Sequence, residues 1–587
     1  MGSQDSKEYE MAVTLPSNTP VEGCEINPDV RVKHRAFPTL QPLPPYSVTF
    51  SWYREVVCSV HPSKLATVQC MSCVKLEVPV DQSYHCSSQC FLDAWQMHVK
   101  LHSHAVKTEK QTATGGQQEL RMLRSCGSWP DFSADQLFGE NTLVVEREGK
   151  VWIKVGSSKT YKPSKEDVGF TLRLECVAVD YFEGTQLAPI NIIVTDPVIT
   201  FPPRCPRCMI EVGSYMKSHN IHFKSQTSDG LTFSVLSYNI LADMYTGMGK
   251  YSYCPSWAVV WEYRKQNLLQ EIIGYDADII CLQEVQSDHF EGYLQPELMK
   301  CGYSVMYKRK RTELYTSSRH YISEGCATFY RHDLFKEIMK YELEFDQRAQ
   351  LVVEDLKPEL KHVGRIRLMK DNVALIVILE AIRDGSTNDD FQFRICVVLY
   401  ANTHTHANTE LPDVKLYQVA NLVRGLEKIA QSKIPLLICG DLNSPPESDP
   451  HMLLVRGRIN SVSGERTDPL GIYQILKLEH SLALVSAYAS FFHLRGIDEK
   501  QFNRMNLENH EPLFTYFTSG FAGTLDYILY TADSLRVEGL LELLDFESMG
   551  VGLPSPLWSS DHIALMASFR LKPHSTSESW PALPQEI

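Results

Sequence analysis

Two groups of side chains in this 587-residue chain are spaced for chemistry. The first is a run of thiols and imidazoles: Cys58, His61, Cys70, Cys73, Cys86, Cys90, His98 and His102. Cys58 with His61, and Cys70 with Cys73, are separated by two residues, the spacing of a tight turn that aims two ligands at one ion. Cys90, His98 and His102 recur at helical intervals that place them along one face. Eight such ligands make two tetrahedral sites, and imidazole mixed with thiolate favours zinc over an iron–sulfur cluster. His104 competes with His102 for the last position. Closed tetrahedral zinc is structural, so this group predicts a docking module with two zinc ions and no catalysis of its own.

The second group is spread through the C-terminal segment and has one recurring form, a polar residue at the end of an apolar run. "FSVLSYN" ends at Asn239, "DIICLQE" at Glu284, "ICVVLYANTHTH" at His404 and His406, and "LLICGDLN" at Asp441 and Asn443. "GTLDYILY" sets Asp526, and "SSDHIALMASF" sets Asp561 and His562, just before an apolar run. Taken singly, an aspartate or asparagine after a strand is usually a turn former, and the glutamate and histidines could be solvated or core-margin residues. Six such places imply strand ends that converge on one mouth of a sheet. Glu284 and Asp441, with the oxygens of Asn239 and Asn443, form a hard donor set that suits magnesium completed by a substrate phosphate. His562, oriented by Asp526, would activate a water for in-line attack on phosphorus, with asparagine and metal stabilising the charge that develops. The expected reaction is metal-dependent phosphodiester hydrolysis.

The elements that must position these residues read as follows. Residues 1–50 form a proline-rich N-terminal extension, 51–106 the double zinc module and 107–140 a linker containing "TEKQTATGGQQE". Short alternating runs such as "TLVVEREGKVWIKVG" make 141–198 a small all-β module. Residues 199–230 form a second linker, in which the lone pair Cys205 and Cys208 carries no assigned chemistry. In 231–571 apolar strands alternate with helical stretches such as "VWEYRKQNLLQEIIGY", and 572–587 is a tail. The expected fold class is multidomain, an α/β unit preceded by a zinc-binding module and an all-β module.

Composition bounds the reading. Hydrophobic residues at 43% and charged residues at 22% are ordinary for a soluble globular chain and exclude wholesale disorder. No apolar run is long enough for a membrane span, and the polar start "MGSQDSKEYE" lacks a secretory core, so a cytosolic or nuclear protein is expected. In a reducing compartment the crowding of cysteines from Cys58 to Cys90 reads as metal binding. Gly2 followed by Ser6 fits the N-myristoylation pattern without a second anchor. A net charge of −14 repels a polyanion at long range, so a nucleic-acid substrate needs metal ions or a local basic patch. "YKRKR", Tyr307 to Arg311, supplies a basic run that reads equally as RNA contact or as a solvated surface.

The motifs "SYNILAD", "CLQEVQSDHF", "KDNVALI", "ANTH", "DVKLYQ", "CGDLNSPP", "GTLDYILYTADSL" and "WSSDHIAL" together resemble the endonuclease/exonuclease/phosphatase superfamily. Within it they resemble the carbon catabolite repressor four type of poly(A)-specific exoribonuclease, or deadenylase. The resemblance implies a four-layered α/β sandwich with its active site at one edge of two packed sheets. It implies magnesium, one ion or two, on Glu284, and catalytic roles for Asn239, His404, Asp441, Asn443, Asp526 and His562. Phe521 matches an aromatic residue against which the terminal adenine packs, with Tyr516 and Asp561 beside the substrate. The zinc cluster resembles a Mynd-type finger, with His61 and His102 where many members carry cysteine. That finger marks the plant-type branch and implies docking of the partner deadenylase of the Not complex. Residues 141–198 resemble an immunoglobulin-like repeat in which Tyr161, Asp167 and Gly169 mark turns and Leu172, Leu174 and Val177 face the core.

Two positions depart from the family's usual pattern. Tyr516 stands where Thr-Asn-x-Thr has its asparagine, and Thr409 stands where some members place a proline near the base. The expected function is shortening of messenger RNA poly(A) tails from the 3′ end with release of AMP, in cytoplasmic processing bodies and the nucleus. The alternatives are a phosphatase acting on a small phosphorylated metabolite or dinucleotide, and a catalytically silent scaffold in messenger RNA decay. The intact set of polar strand ends weighs against silence.

Overall fold

The computed structural model describes residues 8–36, 43–76, 78–112, 144–211, 231–247, 249–316, 321–382, 397–430, 434–459, 468–492 and 499–572. The chain divides into two compact units, Met1–Phe201 and Pro202–Ile587. Gly2, the linker beyond Thr112, the later part of the second linker and the tail after Lys572 lie outside the described residues.

In the first unit, β1 (Tyr9–Thr14) and β2 (Asp29–His34) form an antiparallel pair. β3 (Tyr46–Val56) is followed by β4 (Val68–Gln69), β5 (Tyr84–His85) and the helix α1 (Ser88–Thr112). β6 (Val144–Arg147), β7 (Lys150–Gly156), β8 (Thr171–Asp180) and β9 (Asn191–Pro197) complete a five-stranded sheet ordered β6-β7-β3-β8-β9. Met11, Val13 and Val32 pack over Trp52, Leu172, Leu174, Cys176 and Ala178, so the β1–β2 pair closes the open face of that sheet.

Three expectations change here. The boundary expected at residue 50 falls inside β3, the central strand, whose partners β7 and β8 lie about a hundred residues further on. The cysteine- and histidine-rich segment is therefore an insertion between β3 and β6. Local patterning shows that "SVTFSWYREV" can be a strand but cannot show which strand it pairs with. Val177 lies on the sheet face opposite Leu172 and Leu174, because successive residues of a strand point to opposite faces; Cys176 and Ala178 fill the core in its place.

The second unit opens with β10 (Met209–Glu211), which pairs with a later strand and makes part of the expected second linker an edge of the fold. There follow β11 (Thr232–Asn239), α2 (Trp261–Tyr275), β12 (Ile279–Gln286), β13 (Tyr303–Arg309), β14 (Leu314–Tyr315), β15 (Tyr321–Ile322), β16 (Glu324–Arg331) and β17 (Phe335–Glu344). Next come β18 (Val373–Ala381), β19 (Val397–His404), α3 (Pro412–Ala430), β20 (Leu436–Asp441), β21 (Leu484–Ser486), β22 (Tyr516–Phe517), β23 (Ala522–Gly523), β24 (Asp526–Thr531), β25 (Leu535–Leu541) and β26 (Leu565–Leu571).

Two large sheets result, ordered β10-β25-β26-β11-β12-β16-β13 and β17-β18-β19-β20-β24-β21. Phe233, Val235, Ile279, Cys281, Leu375, Val377, Leu437 and Cys439 interdigitate between them. On the far faces Leu268 and Ile272 of α2 cover Ile280 and Leu282, and Leu416, Val419 and Val423 of α3 cover Ile376 and Ile438. That is helix, sheet, sheet, helix. Strands buried on both faces read as continuous apolar runs such as "VALIVILEA", because neither face meets water.

Two backbone features bring the polar strand ends together. At Gly440 (φ 144°) an added Cβ would lie 1.9 Å from the Thr403 carbonyl oxygen. Only glycine lets β19 and β20 approach closely enough for His404 and Asp441 to sit side by side in register. In β12 the register shifts between Leu282 and Val285, and Glu284 adopts φ 54°. This bulge turns Glu284 outward from the ladder. Asn402 of the opposite sheet supports it: its Nδ2 donates to the carbonyls of Leu282 at 3.1 Å and Ala327 at 2.9 Å, and Gln283 Nε2 donates to its Oδ1 at 2.9 Å.

Candidate active site and metal-binding groups

The expected residues meet at one edge of the two sheets. Asn239 is fully buried, and its Nδ2 donates to Glu284 Oε1 at 3.2 Å and to Asp441 Oδ2 at 3.1 Å, while its Oδ1 accepts from the Leu241 N–H at 3.0 Å. Glu284 Oε2 accepts from the Ala242 N–H at 3.0 Å. Asp441 lies opposite Asp526 on β24, and its Oδ1 accepts from the Asn443 N–H at 2.7 Å. Asn443 holds φ 45°, a conformation that asparagine tolerates, and its Nδ2 donates to the Thr405 carbonyl at 3.1 Å. His562 Nδ1 donates to Asp526 Oδ2 at 2.7 Å, and its Nε2 lies 3.6 Å from Asp441 Oδ2. His404 Nε2 lies 3.5 Å from Asp441 Oδ2.

The strand that stops at "GDLNSPP" is thus explained. It ends at Asp441, its last paired residue, and the turn beyond it re-aims an asparagine into the same site.

The electrostatics are those of a site short of positive charge. Burial, with Asp561 and Glu324 nearby, raises the Glu284 carboxyl above its ordinary range. Burial and Asp526 push Asp441 up to about 7. Burial alone would lower His562, but Asp526, Asp441 and Asp561 override it and push it up to about 10. His404 is driven well below its usual range by burial, Lys310 and His562, and stays neutral. Asp526 Oδ1, Glu324 Oε2 and both ring nitrogens of His404 are buried with no hydrogen-bond partner among the described residues. Buried orphans of this kind are costly, and the oxygen-rich set fits a divalent cation and a phosphate. Asp441, Asp526 and His562 bring ligand atoms within 4.8 Å of one another. Because Asp526 is engaged with His562, Glu284 is the better group to hold a cation; Asn239 turns its Nδ2 and not its oxygen toward the carboxylates, so it orients them instead of supplying the donor oxygen expected of it.

Beside His562 stands an aromatic wall. The Tyr516 ring is 4.9 Å from His562, edge-on, and 6.0 Å from Phe521, which is 49% exposed. Asp561 Oδ2 accepts from the Tyr251 hydroxyl at 2.6 Å, with Lys250 Nζ 3.8 Å away. Burial and Asp561 push Tyr516 up to about 12, so it stays a neutral hydroxyl. Thr409 is exposed in the loop after β19. His406 is half-buried, and its backbone N–H donates to Gln418 Oε1 at 2.9 Å.

In the basic run Lys308 and Lys310 are turned inward, while Arg309 and Arg311 stay exposed and each is paired with a carboxylate. Lys308 pairs with Glu342 at 3.0 Å and with Glu344, Arg309 with Glu313 at 3.2 Å, Lys310 with Glu324, and Arg311 with Asp346. The two lysines are taken up by carboxylates of the fold, and the two arginines are partly offset at the surface.

Sequence reading missed Glu324, although "EGCATFY" repeats the polar-then-apolar form of Asp526. It also missed Arg264, fully buried on α2, whose guanidinium donates to the carbonyls of Leu241 at 2.9 Å and Ser559 at 3.1 Å. Arg264 ties the segment after Asn239 to the segment before Asp561 and His562. An arginine in an apolar helix face was the available signal.

In the first unit the thiols and imidazoles form two groups, Cys58, His61, Cys86, Cys90 and Cys70, Cys73, His98, His102. They interleave along the chain, so each site draws on two separated ligand pairs. Cys90 Sγ is 3.3 Å from His61 Nδ1 and 3.6 Å from Cys58 Sγ; Cys73 Sγ is 3.1 Å from His98 Nε2 and 3.2 Å from His102 Nε2. A tetrahedron with bonds of about 2.2 Å has edges of about 3.6 Å, so these spacings suit one ion in each group. The N–H groups of Val60 and His61 donate to Cys58 Sγ at 3.4 and 3.3 Å. They outweigh burial and lower that thiol to about 6. Hydrogen bonding from Cys73 and His98 lowers Cys70 to about 3. His102 joins the second group, while His104 Nδ1 donates to the Lys100 carbonyl at 2.8 Å.

Two facing sheets between helices, with carboxylates, asparagines and histidines at one edge, define a class that comparison with known proteins identifies. Residues 236–562 match the endonuclease/exonuclease/phosphatase family. The chain is 44% identical to carbon catabolite repressor protein 4 homolog 1 of Arabidopsis thaliana, over 96% of this chain and 98% of that one. It is 42% identical to homolog 2 of the same plant over equal shares. The CCR4-Not complex 3′-5′-exoribonuclease subunit Ccr4 of Schizosaccharomyces pombe is 32% identical over 60% of this chain and 51% of its own length. The chain belongs to the endonuclease/exonuclease/phosphatase family and, within it, to the carbon catabolite repressor 4 proteins.

Proposed function

We propose that this chain is a magnesium-dependent 3′-to-5′ exoribonuclease that shortens poly(A) tails and releases AMP as a subunit of the Not deadenylation complex, in cytoplasm and nucleus. The observation that carries the reading is the joint placement of Glu284, Asn239, Asp441 and the Asp526–His562 pair beside the Tyr516–Phe521 wall. Among the described residues no helix is long and apolar enough to cross a membrane.

Glu284 would hold magnesium, its carboxylate oriented by the Asn239 Nδ2 and the Ala242 N–H, and the ion when bound would supply positive charge to the phosphoryl and leaving oxygens. The terminal adenine stacks on Phe521, with Tyr516 narrowing the pocket where an asparagine is usual. The charge state of the pair revises the expected roles. His562, held protonated by its carboxylate neighbours, donates to a phosphoryl oxygen. Asp441, near 7, is the group poised to accept the proton of the attacking water. Asn443 and His404 position the phosphate.

This assignment sets a pH profile. The base must be ionised, so the rate rises as pH climbs through about 7. The acid must stay protonated, so the rate falls as pH passes about 10. Both limbs belong to the coupled cluster. Asp526→Asn, which removes a charge holding His562 up, should move the alkaline limb downward; an unmoved limb would remove His562 from the acid role.

The functional test is a magnesium-dependent time course on two labelled RNAs, one with an adenosine tail and one with a tail of another base. Stepwise shortening of the adenosine tail alone is the expected result. Cleavage of neither tail would leave the small-molecule phosphatase and the catalytically silent scaffold as the working readings.

The two cysteine–histidine groups are read as a Mynd-like finger that holds two zinc ions and docks the partner deadenylase. The surrounding sheet, in which Tyr161 stacks on Trp52 with centroids 5.5 Å apart, is read as an immunoglobulin-like spacer.

A further inference from the structure

The connection between β13 and β16 carries an aromatic pair for which the reaction described above has no use. β14 and β15 pair antiparallel with Tyr315 opposite Tyr321, and the two rings lie 4.9 Å apart, tilted by 55°. Both are left in water, 60% and 65% exposed, while the neighbouring Ile322 is buried and anchors the hairpin. Large aromatic rings gain most from being covered, so two side by side on a surface mark a place that something covers.

The topology says where that place is. Along the first large sheet the order runs β26, β11, β12, β16, β13, and the active-site residues follow it at one edge. His562 precedes β26, Asn239 ends β11, Glu284 lies in the bulge of β12 and Glu324 opens β16. The hairpin joins the end of β13 to the start of β16 at this same edge, and the Lys310 N–H donates to the Glu324 carbonyl at 2.8 Å at its base. Neighbouring strands are about 4.8 Å apart, so the hairpin base lies roughly 5 to 10 Å beyond Glu284. It lies on the side away from His562, Tyr516 and Phe521.

We propose that Tyr315 and Tyr321 form a stacking platform for the bases of single-stranded RNA further 5′ than the two nucleotides that flank the scissile phosphate. The proposal rests on the exoribonuclease reading, in which the 3′-terminal base occupies the Tyr516–Phe521 wall; the rest of the strand then continues along the edge past Glu284. The chemistry of the hairpin's surroundings favours stacking over phosphate pairing. Arg309, Lys310 and Arg311 are engaged by Glu313, Glu324 and Asp346, and the whole chain carries a charge of −14. Stacking needs no free cation and tolerates any base, since each offers a flat face.

The test uses the full chain with Tyr315→Ala/Tyr321→Ala and Tyr315→Phe/Tyr321→Phe, on a diadenylate and on an oligoadenylate of about twenty nucleotides. The alanine variant should lose about tenfold or more in kcat/KM on the long substrate and nothing on the dinucleotide, which is too short to reach the hairpin. The phenylalanine variant should restore the rate, because the ring and not the hydroxyl stacks. Equal rates of wild type and alanine variant on the long substrate would overturn the platform, and so would equal losses on both lengths. Failure of the wild type to cleave either RNA would count against the exoribonuclease reading instead. In that case fluorescence anisotropy of the labelled oligoadenylate decides the platform separately, and an affinity that the alanine pair leaves unchanged overturns it.

Discussion

Glu284→Gln should lower the magnesium-supported rate on oligoadenylate by about a thousandfold or more and leave the fold intact. The carboxylate is one of two that Asn239 holds together, and it alone sits in the β12 bulge with φ 54°. Glutamine keeps the volume and one acceptor for the Ala242 N–H, so the bulge and its support from Asn402 survive. What it removes is the charge that a hard cation requires. Stability should hold or rise slightly. The Glu284 carboxyl is raised by burial and by Asp561 and Glu324, which means that its ionised form is disfavoured in the folded chain and that a neutral amide relieves the repulsion. Single-turnover rates at saturating magnesium, beside thermal melts of both proteins, make the measurement. A variant that retains rates within about tenfold of wild type would show that the cation is held elsewhere; the Asp441, Asp526 and His562 group would be next to examine.

How much of this was legible depends on whether the signal is local. The site residues were readable because each sits at the boundary of an apolar run, a feature that needs no knowledge of partners. The four-layered architecture came from the family resemblance carried by the motifs around those residues, and runs such as "VALIVILEA" fit it because its strands are covered on both faces. Partner choice was not readable. The cysteines and histidines announce two sites, but that Cys58 and His61 join Cys86 and Cys90, across the intervening Cys70 and Cys73, is fixed only by the fold. The basic run "YKRKR" shows its charge plainly, yet whether those cations face solvent or Glu324, Glu342 and Asp346 depends on strands far along the chain. β3 was readable as a strand but not as the centre of a sheet completed about a hundred residues later. Asn402 and Arg264 stand out as polar residues in apolar stretches, and their purpose appears only with the carbonyls they serve at the β12 bulge and at Leu241 and Ser559.

Treating the full chain with a zinc-selective chelator, magnesium being kept in excess, should release two metal ions per chain and unfold the inserted module, while cleavage of RNA continues. Among the described residues the module has little else to hold it. Its own apolar centre is Val78 and Phe91 beside the ligands Cys70 and Cys73, and a second small cluster joins Ala66 and Tyr84 to Val56 and Val151 of the sheet. A core that small cannot offset the entropy of ordering the segment. Metal binding to sites of this kind contributes about 10–16 kcal/mol at neutral pH, enough to make folding of the module depend on it. Among the described residues, the cores of the nuclease unit contain none of these cysteines and histidines. Trp95 supplies a local reporter, since its ring lies 6.2 Å from that of His98 and 6.0 Å from that of His102. Its fluorescence should shift as metal leaves, together with loss of helical signal from Ser88–Thr112. Cys73→Ala should reproduce half of the metal loss, because it opens one site and leaves Cys58, His61, Cys86 and Cys90 in place. Retention of helix and fluorescence in a chain shown to be metal-free would mean that packing alone folds the module, and would remove zinc from its structural role.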